Sequence, residues 1–490
     1  MLDFMRRNAD KIIWIIVIAF VLSLGILSFN RPSRSGGAER QSAQDAGALA
    51  TVDGQPIDLR FFARLYNAGL RSYAEPGQRD MLDPKVGAYV GYLALTQTID
   101  ASKKLDYARR LKIRVSGREI EQQIKALMNA YQLSDRDALE KLLAANGLTY
   151  KAFRAEIRQE LLLNKLEENI LRSVTVTEQD VQNQYKQVRA RHILIAFQRP
   201  GLEDRTDKER IKLAGDLAAN VYDQLRGGAD FAELAREYSN DTGSAARGGD
   251  LGFFGVNAMV PEFEQVAFSL EPGQLSKPFQ TQYGYHIVQV EEVDQQEVPL
   301  DVDEKELQKT LLSRKQSAAL QQLNRRLQSE YETKILYPEF QAYEHKINGE
   351  LDKALSLYRA LCAQNPQSPL PYIFTAEIYE LLGQNTEALA EYEKALLVQK
   401  LNPASKTPYV HFYLANYYAG QKQNSKAVSE LQLAEAAVSD NLNTLERIKD
   451  KYTELAALND AQKIDLKIQA LERARAAASA TQNSEVEFVD

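Results

Sequence analysis

The sequence contains very few of the side chains that most often build redox or metal chemistry. It has one cysteine, four histidines and one tryptophan in 490 residues. The single cysteine, Cys362, excludes an internal disulfide and any metal site made of several cysteines. Cys362 falls on an apolar helical pattern, so we expect a small buried hydrophobic residue there rather than a reactive thiol. The net charge of −7 gives no electrostatic reason to expect nucleic acid as a partner.

The chain is too long for one hydrophobic core, and its length suggests about three domains. We predict an α+β multidomain protein with a transmembrane helix at its N-terminus and helical repeats at its C-terminus. The predicted segments are an N-terminal flank (1–11), a transmembrane anchor (12–29), a flexible linker (30–50), a helical module (51–187), a compact α/β domain with a small antiparallel sheet (188–294), a long helix (295–337), helical repeats (338–476) and a disordered tail (477–490).

An uncharged, strongly apolar run of 18 residues extends from Ile12 to Phe29. A spanning helix needs about 20 such residues. The rival interpretation is a cleaved signal peptide, but its apolar region is about 7–15 residues long and a small-residue cleavage site follows it, which this sequence does not offer. We therefore favour an uncleaved membrane anchor. The charge bias leaves its orientation open, because basic residues lie on both sides: Arg6, Arg7 and Lys11 before the run, and Arg31, Arg34 and Arg40 after it.

The segment from 51 to 187 is mostly helical in its pattern. Helical periodicity recurs near 58–70, 86–111, 116–131, 135–145, 149–171 and 177–187. Ser116 before Glu119, and Thr177 before Asp180, predict capped helix starts. The segment has no histidine and no cysteine. We interpret it as a binding or structural module, so any chemistry should lie elsewhere in the chain.

Two strand-like segments, each carrying a histidine, frame the compact α/β domain. The segment around His192 and the segment around His286 both alternate as half-buried strands do. If these strands are antiparallel neighbours, the two imidazoles can lie side by side. Between them the pattern predicts the order β-α-α-α-β-α-β-β, including a strand from Leu275 to Phe279.

The segment from 338 to 440 repeats itself at a spacing of 34 residues. Ala354 and Tyr358 are followed by Ala388 and Tyr392, and Ala427 belongs to a third, offset copy. A helix-turn-helix period of this length resembles tetratricopeptide repeats. Before it, a long polar helix is predicted over 303–335. One arrangement is that this helix packs back on the helical module, which makes the α/β domain an insertion.

Several ordered motifs in the α/β domain resemble the parvulin-type peptidyl-prolyl isomerases. They are His192-Ile193-Leu194, Tyr238-Ser239-Asn240-Asp241, the run Gly248-Gly249-Asp250-Leu251-Gly252-Phe253-Phe254, then Met259 and Phe263, and finally Gly284-Tyr285-His286-Ile287-Val288. Residues 51–187 resemble, less specifically, the helical module of SurA-like periplasmic chaperones. Anchor, module and parvulin domain together resemble the PpiD-like foldases of the bacterial inner membrane. The C-terminal repeats depart from that pattern.

The resemblance implies a set of active-site residues. Carried over by position, the catalytic residues are His192, Asp241, Thr281 and His286. The pocket for the proline ring, called the proline slot below, is Leu251, Met259 and Phe263. The resemblance implies no metal and no cofactor. A single histidine on a strand is more often a core residue with its hydrogen bonds satisfied than an active-site residue. The paired placement of His192 and His286 favours the active site. Phe253 and Phe254 are expected to be core residues.

The resemblance further implies a membrane-anchored peptidyl-prolyl cis-trans isomerase and chaperone, with most of the chain in the periplasm. Its expected partners are unfolded or newly exported polypeptides with X-Pro bonds, the inner membrane through Ile12–Phe29, and a protein bound to the repeats. The alternative is a non-catalytic chaperone or a repeat scaffold of a membrane assembly complex that uses the parvulin fold to bind peptides. Residues 199–205 carry mixed charge, so we predict no requirement for a phosphorylated substrate.

Overall fold

The computed structural model describes residues 47–71, 73, 83–145, 147–202, 205, 207–256, 258–295, 303–402, 407–438 and 440–486. The predicted anchor at 12–29 and most of the predicted linker at 30–50 lie outside these residues. Within the described ranges, every helix is too short or too polar to cross a bilayer. The anchor therefore stays a prediction from the sequence.

The elements up to the first long strand are mainly helical. In chain order they are β1 (Ala50–Val52), β2 (Gln55–Pro56), α1 (Leu59–Arg71), α2 (Pro84–Arg110), α3 (Gly117–Ala130), α4 (Arg136–Ala145), α5 (Tyr150–Arg172) and α6 (Glu178–Gln182), with a 3-10 turn at Asn183–Tyr185. Both predicted capping boxes are confirmed, since Glu119 and Asp180 each accept the backbone N–H of their cap residue, at 2.8 and 2.7 Å. These caps satisfy donors that an open helix start leaves unpaired.

The middle of the chain follows the predicted order β-α-α-α-β-α-β-β. Its elements are β3 (Lys186–Ala196), α7 (Asp207–Arg226), α8 (Phe231–Tyr238), α9 (Thr242–Ala245), β4 (Asp250–Phe254), α10 (Pro261–Ser269), β5 (Phe279–Gln280) and β6 (Gly284–Gln295). The strands form one antiparallel sheet in the order β4-β3-β6-β5.

The remaining elements are helical except for one short strand. They are α11 (Glu304–Glu330), β7 (Thr333–Ile335), α12 (Pro338–Ile347), α13 (Leu351–Gln364), α14 (Leu370–Leu381), α15 (Asn385–Leu401), α16 (Tyr409–Gly420), α17 (Asn424–Ala436), α18 (Leu442–Glu454) and α19 (Leu458–Val486). From α12 onward, each helix contacts the next one along the chain.

The chain divides into two compact units. The first combines residues up to Asp100 with Asp137–Leu148 and Thr333–Asp490, and the second combines Ala101–Arg136 with Thr149–Glu332. Residues from the segment 51–187, predicted as one module, contribute to both units.

In the first unit, segments far apart in sequence meet. Strand β1 pairs with β2 and, on its other side, with β7. The buried carboxylate of Asp83 accepts a hydrogen bond from the Tyr413 hydroxyl and forms an ion pair with Arg447. The predicted repeat residues Ala354, Ala388 and Ala427 are fully buried between helices, as such small residues would be. The assignment of these helices to the tetratricopeptide class remains a prediction.

In the second unit, the four-stranded sheet has a hydrophobic core on each face. One core contains Ile193, Ile195 and Ile287 packed against α7 and α8. The other contains Val188, Val288 and Phe263 and is covered by α10. Helix α11 packs against α5 and α6, which agrees with the arrangement in which it returns to the helical module, and it also packs against α7 of the α/β domain.

Four local predictions are wrong. The strand expected at Leu275–Phe279 is only a bridge from Leu275 to Gln289 followed by the short β5, because Pro278 has no N–H to continue a ladder. Phe253 is 46% exposed because it alternates with the buried Phe254. The helix predicted to reach 335 ends at Glu330, and the next residues form β7. The tail expected to be disordered from 477 is helical to Val486, in keeping with its alanine-rich sequence.

Candidate active site

The two histidines of the sheet lie next to each other on the face covered by α10. Strand β3 pairs with β6 so that His192 is opposite Val288 and His286 is opposite Leu194. The histidines are therefore diagonal neighbours rather than directly opposed, and their rings bridge the offset. The two Nδ1 atoms are 3.3 Å apart, and the rings are stacked at 22° with centroids 5.5 Å apart. Both residues are buried.

A polar turn brings Asp241 to His192. The Leu194 N–H donates to Ser239 Oγ at 3.1 Å, and the Ala196 N–H donates to Asn240 Oδ1 at 2.8 Å. These bonds fix residues 239–240 beside strand β3. Asp241 then caps α9 by accepting the Gly243 N–H at 3.1 Å. Its other oxygen, Oδ2, lies 2.7 Å from His192 Nε2.

The polar side chains form one continuous row of hydrogen bonds, called the imidazole chain below. It runs from Asp241 through His192 and His286 to Thr281, whose Oγ1 is 2.8 Å from His286 Nε2. An ionised carboxylate only accepts, so we assign the proton to His192 Nε2. His192 Nδ1 must then accept from His286 Nδ1–H, and His286 Nε2 accepts from the Thr281 hydroxyl. With both rings neutral, every ring nitrogen of the imidazole chain has a hydrogen-bond partner.

The electrostatics favour these protonation states. Burial, together with the neighbouring His192, lowers the pKa of His286 to about 3. Burial also lowers the pKa of His192, and it outweighs the opposing effect of Asp241. Burial alone would raise the pKa of Asp241, but hydrogen bonds from Ser244 and His192 hold it below its ordinary value. At neutral pH, Asp241 is therefore charged and both imidazoles are neutral.

The three residues of the predicted proline slot belong to the hydrophobic cluster under α10. Phe263 is 2% exposed, and Leu251 and Met259 are half-buried beside its cluster. The Phe263 ring makes edge-to-face contacts with both imidazoles, with centroids 5.5 Å from His192 and 5.4 Å from His286. All seven predicted residues are therefore connected, four through the imidazole chain and three through the Phe263 cluster. Their catalytic and binding roles remain predictions.

Two further residues of this site were missed by the sequence analysis. Ser244 is buried, donates to Asp241 Oδ2, and has its Oγ 3.1 Å from His192 Nε2. Phe279 stacks on His286 at 22° with centroids 5.6 Å apart. Ser244 follows Asp241 by three residues, the spacing of one helical turn, and that spacing was the available signal. For Phe279 the sequence offered no signal beyond the apolar character of the residue.

Acid should destabilise the second unit through the buried imidazoles. Because the folded pKa of each histidine lies below its ordinary value of 6.5, the unfolded chain binds more protons below that pH. The contribution of the neutral imidazoles to the free energy of unfolding is fully present above about pH 6.5. It falls as the pH drops toward 3, by about 1.4 kcal/mol per pH unit for each proton that the unfolded chain takes up. Urea unfolding followed by circular dichroism at about pH 7.5 and about pH 5 measures the difference.

The control for this pH effect is His286→Gln, which cannot take up a proton. It should be less stable than the parent at neutral pH and should lose less stability between the two pH values. An unchanged pH dependence in His286→Gln would show that other groups cause the effect.

Comparison with known proteins gives two family matches. Residues 192–292 match the PPIC-type PPIase domain, a rotamase family, and residues 1–167 match the SurA-like N-terminal domain. A foldase protein PrsA from Caldanaerobacter subterraneus subsp. tengcongensis is 38% identical over 166 residues, which are 32% of this chain and 49% of the relative. A foldase protein PrsA from Geobacillus sp. is 34% identical over 206 residues, which are 38% of this chain and 67% of the relative.

A solved structure, the peptidylprolyl isomerase PrsA from Bacillus anthracis, is 26% identical to this chain. The match covers 48% of this chain and 93% of that protein, with a TM-score of 0.21. The chain spans about half the length of the Caldanaerobacter relative and about two thirds of the Geobacillus relative. By this shared sequence the chain belongs to the family of the PrsA foldases, with a parvulin-type peptidyl-prolyl isomerase domain preceded by a SurA-like domain.

Proposed function

We propose that this chain is a membrane-anchored peptidyl-prolyl cis-trans isomerase and chaperone that assists the folding of exported proteins in the periplasm. The observation that carries the isomerase proposal is the apolar cluster of Phe263 in edge-to-face contact with both rings of a fully satisfied imidazole chain. The apolar run at 12–29 supports the anchor. The SurA-like match supports a chaperone module before the isomerase domain.

The chemistry of proline isomerisation suits such a site. Rotation about an X-Pro bond is slow because amide resonance must be broken, and no bond is made or cut. A catalyst has to bind the twisted amide better than either planar form. In the proline slot, Leu251, Met259 and Phe263 would bury the pyrrolidine ring and withdraw the amide from water, which favours the less polar twisted state. The imidazole chain would fix the shape and the field of the slot without attacking the substrate.

An isomerisation assay tests the proposal directly. The purified full chain should convert the cis form of a proline-containing peptide faster than the uncatalysed background. Asp241→Ala and His192→Ala each leave buried groups of the imidazole chain unpaired. Because such charge-assisted bonds contribute about 1.5–3 kcal/mol, kcat/KM should fall roughly 10- to 100-fold. The matched control, Asp223→Ala on the exposed side of α7, should keep full activity.

A chain that converts the peptide no faster than background would contradict the isomerase proposal. It would favour the second candidate, a chaperone or scaffold that uses the parvulin fold to bind peptides without turnover. Equal activity in Asp241→Ala, His192→Ala and the parent would place the reaction outside this site.

The helices of 338–476 are proposed to bind a protein partner. Six leucines support this, because each leaves more than half of its surface exposed in the first unit: Leu381, Leu397, Leu401, Leu433, Leu458 and Leu466. Crosslinking in native membranes should capture a protein on the parent chain and lose it when Leu397 and Leu401 are changed to glutamate. Equal capture by both chains would count against a partner at these leucines.

A further inference from the structure

Two arginine–glutamate pairs, both largely shielded from solvent, connect α10, which carries Phe263, to α11. Glu264 pairs with Arg314, and Glu262 pairs with Arg325. The side chains of Glu264 and Arg314 are 6% and 25% exposed, and those of Glu262 and Arg325 are 14% and 12% exposed. A buried carboxylate that loses its cation has to move, bind a proton or remain uncompensated. The position of each glutamate therefore depends on its arginine.

The two pairs differ in one contact. Glu264 Oε1 also accepts the backbone N–H of Met259 at 3.0 Å, while its Oε2 accepts from Arg314. The start of α10 has no other side-chain cap, because Val260 is the cap residue and Pro261 follows it. Glu264 therefore fixes the backbone of Met259, the residue that forms one side of the proline slot. Among the described residues, Glu262 contacts Arg325 and makes no such bond to the slot.

Helix α11 also contacts the helical segment before β3. Lys315, the residue after Arg314, donates to Asp180 at 2.6 Å. Asp180 in turn forms the capping box at the start of α6 with Thr177. Adjacent cations on α11 thus reach two different parts of the second unit. One contacts the helical segment before β3, and the other contacts the carboxylate that orients Met259.

We propose that Arg314 is a positioning residue for the proline slot, acting through Glu264 on the Met259 backbone. The inference rests on the proposed function, since the slot binds the proline ring of a peptide substrate. A slot wall that is free to shift binds the ring less well, and misplacement by about 1 Å can cost up to about 100-fold in rate. Loss of Arg314 therefore weakens substrate binding, although Arg314 does not touch the substrate.

The test compares two arginine variants in the full chain. Arg314→Met and Arg325→Met each remove one of the two pairs between the same two helices, but only the first releases Met259. Arg314→Met should raise KM for a proline peptide about ten-fold, and Arg325→Met should change it about two-fold or less. The double variant Arg314→Met with Glu264→Gln should recover KM to within about two-fold of the parent, because the neutral amide needs no cation and its oxygen still accepts from Met259.

Hydrogen exchange at the Met259 amide gives a second readout that does not depend on activity. The amide should exchange at least about ten-fold faster in Arg314→Met and at the parental rate in Arg325→Met and the double variant. Equal KM values in the two single variants, or parental exchange in Arg314→Met, would overturn this proposal. A parent chain that does not isomerise the peptide would instead overturn the proposed function, and the exchange rates would still decide whether Arg314 orients Met259.

Discussion

Changing Gly249 to alanine should unfold the second unit or destabilise it by more than about 4 kcal/mol, which is rare for one substitution. Gly249 has φ +83°, and a Cβ there would lie 2.4 Å from the carbonyl oxygen of His192 and 3.2 Å from its nitrogen. Strand β3 is bonded directly to Gly249, the residue before β4, because the His192 N–H donates to the Gly249 carbonyl oxygen at 2.9 Å. Neither backbone can yield without displacing the imidazole chain.

Gly252→Ala is the matched control for this prediction. Gly252 has a similar φ of +66°, but a Cβ there would meet no atom within 4 Å. It should therefore show only the cost of the left-handed conformation, about 1–2 kcal/mol. Urea unfolding followed by far-ultraviolet circular dichroism measures both variants. Equal losses would mean that conformation, and not collision with His192, explains the glycine at 249.

Changing Phe263 to alanine should destabilise the second unit by about 3–5 kcal/mol, the usual cost of removing a buried aromatic ring. The Phe263 ring contacts His192, His286, Phe254 and Phe279 with centroids 5.4 to 5.9 Å away. Its loss should open a cavity under the imidazole chain and remove one wall of the predicted proline slot. We therefore also expect kcat/KM for proline peptides to fall by about 100-fold or more in the fraction that remains folded.

Phe253→Ala controls for the loss of a phenylalanine from the same part of the chain. Phe253 is 46% exposed, so its removal should change stability by no more than about 0.5 kcal/mol. Denaturant midpoints and peptide isomerisation rates should be compared for both variants with the parent. If Phe253→Ala matched Phe263→Ala in either measurement, the buried ring would not be the determinant.

The sequence predicted the elements of the second unit well because their periodicity is local. Alternation assigned each of His192 and His286 to one face of its strand. In the structure the two strands pair and both side chains lie on the same face of the sheet. The two-residue offset between the histidines could not be predicted, because strand register depends on the bulge between Arg189 and Ala190 and on the partner strand.

Contacts between distant segments could not be predicted from the sequence either, because they also depend on the partner segment. Nothing in the residues around Asp83 indicates that Tyr413 and Arg447 surround its carboxylate, and the spacing of Arg314 on α11 does not indicate Glu264 as its partner. Such pairs depend on how helices pack, which periodicity does not encode. Ser244 is different from these pairs, because its partner Asp241 lies three residues away and a hydrogen bond at that spacing can be predicted from the sequence.

The pairing of β1 with β7 has a consequence for biosynthesis. Ala50 pairs with Ile335, so the two partners lie 285 positions apart in the chain. At about 5–20 residues per second, a ribosome takes roughly 15–60 s to make that stretch. During this delay the edge of β1 that β7 will cover has no partner strand. The last strand of the β3 to β6 sheet ends at Gln295, 40 positions before Ile335. All strands of the isomerase domain are therefore synthesised before the segments on either side of the domain can join.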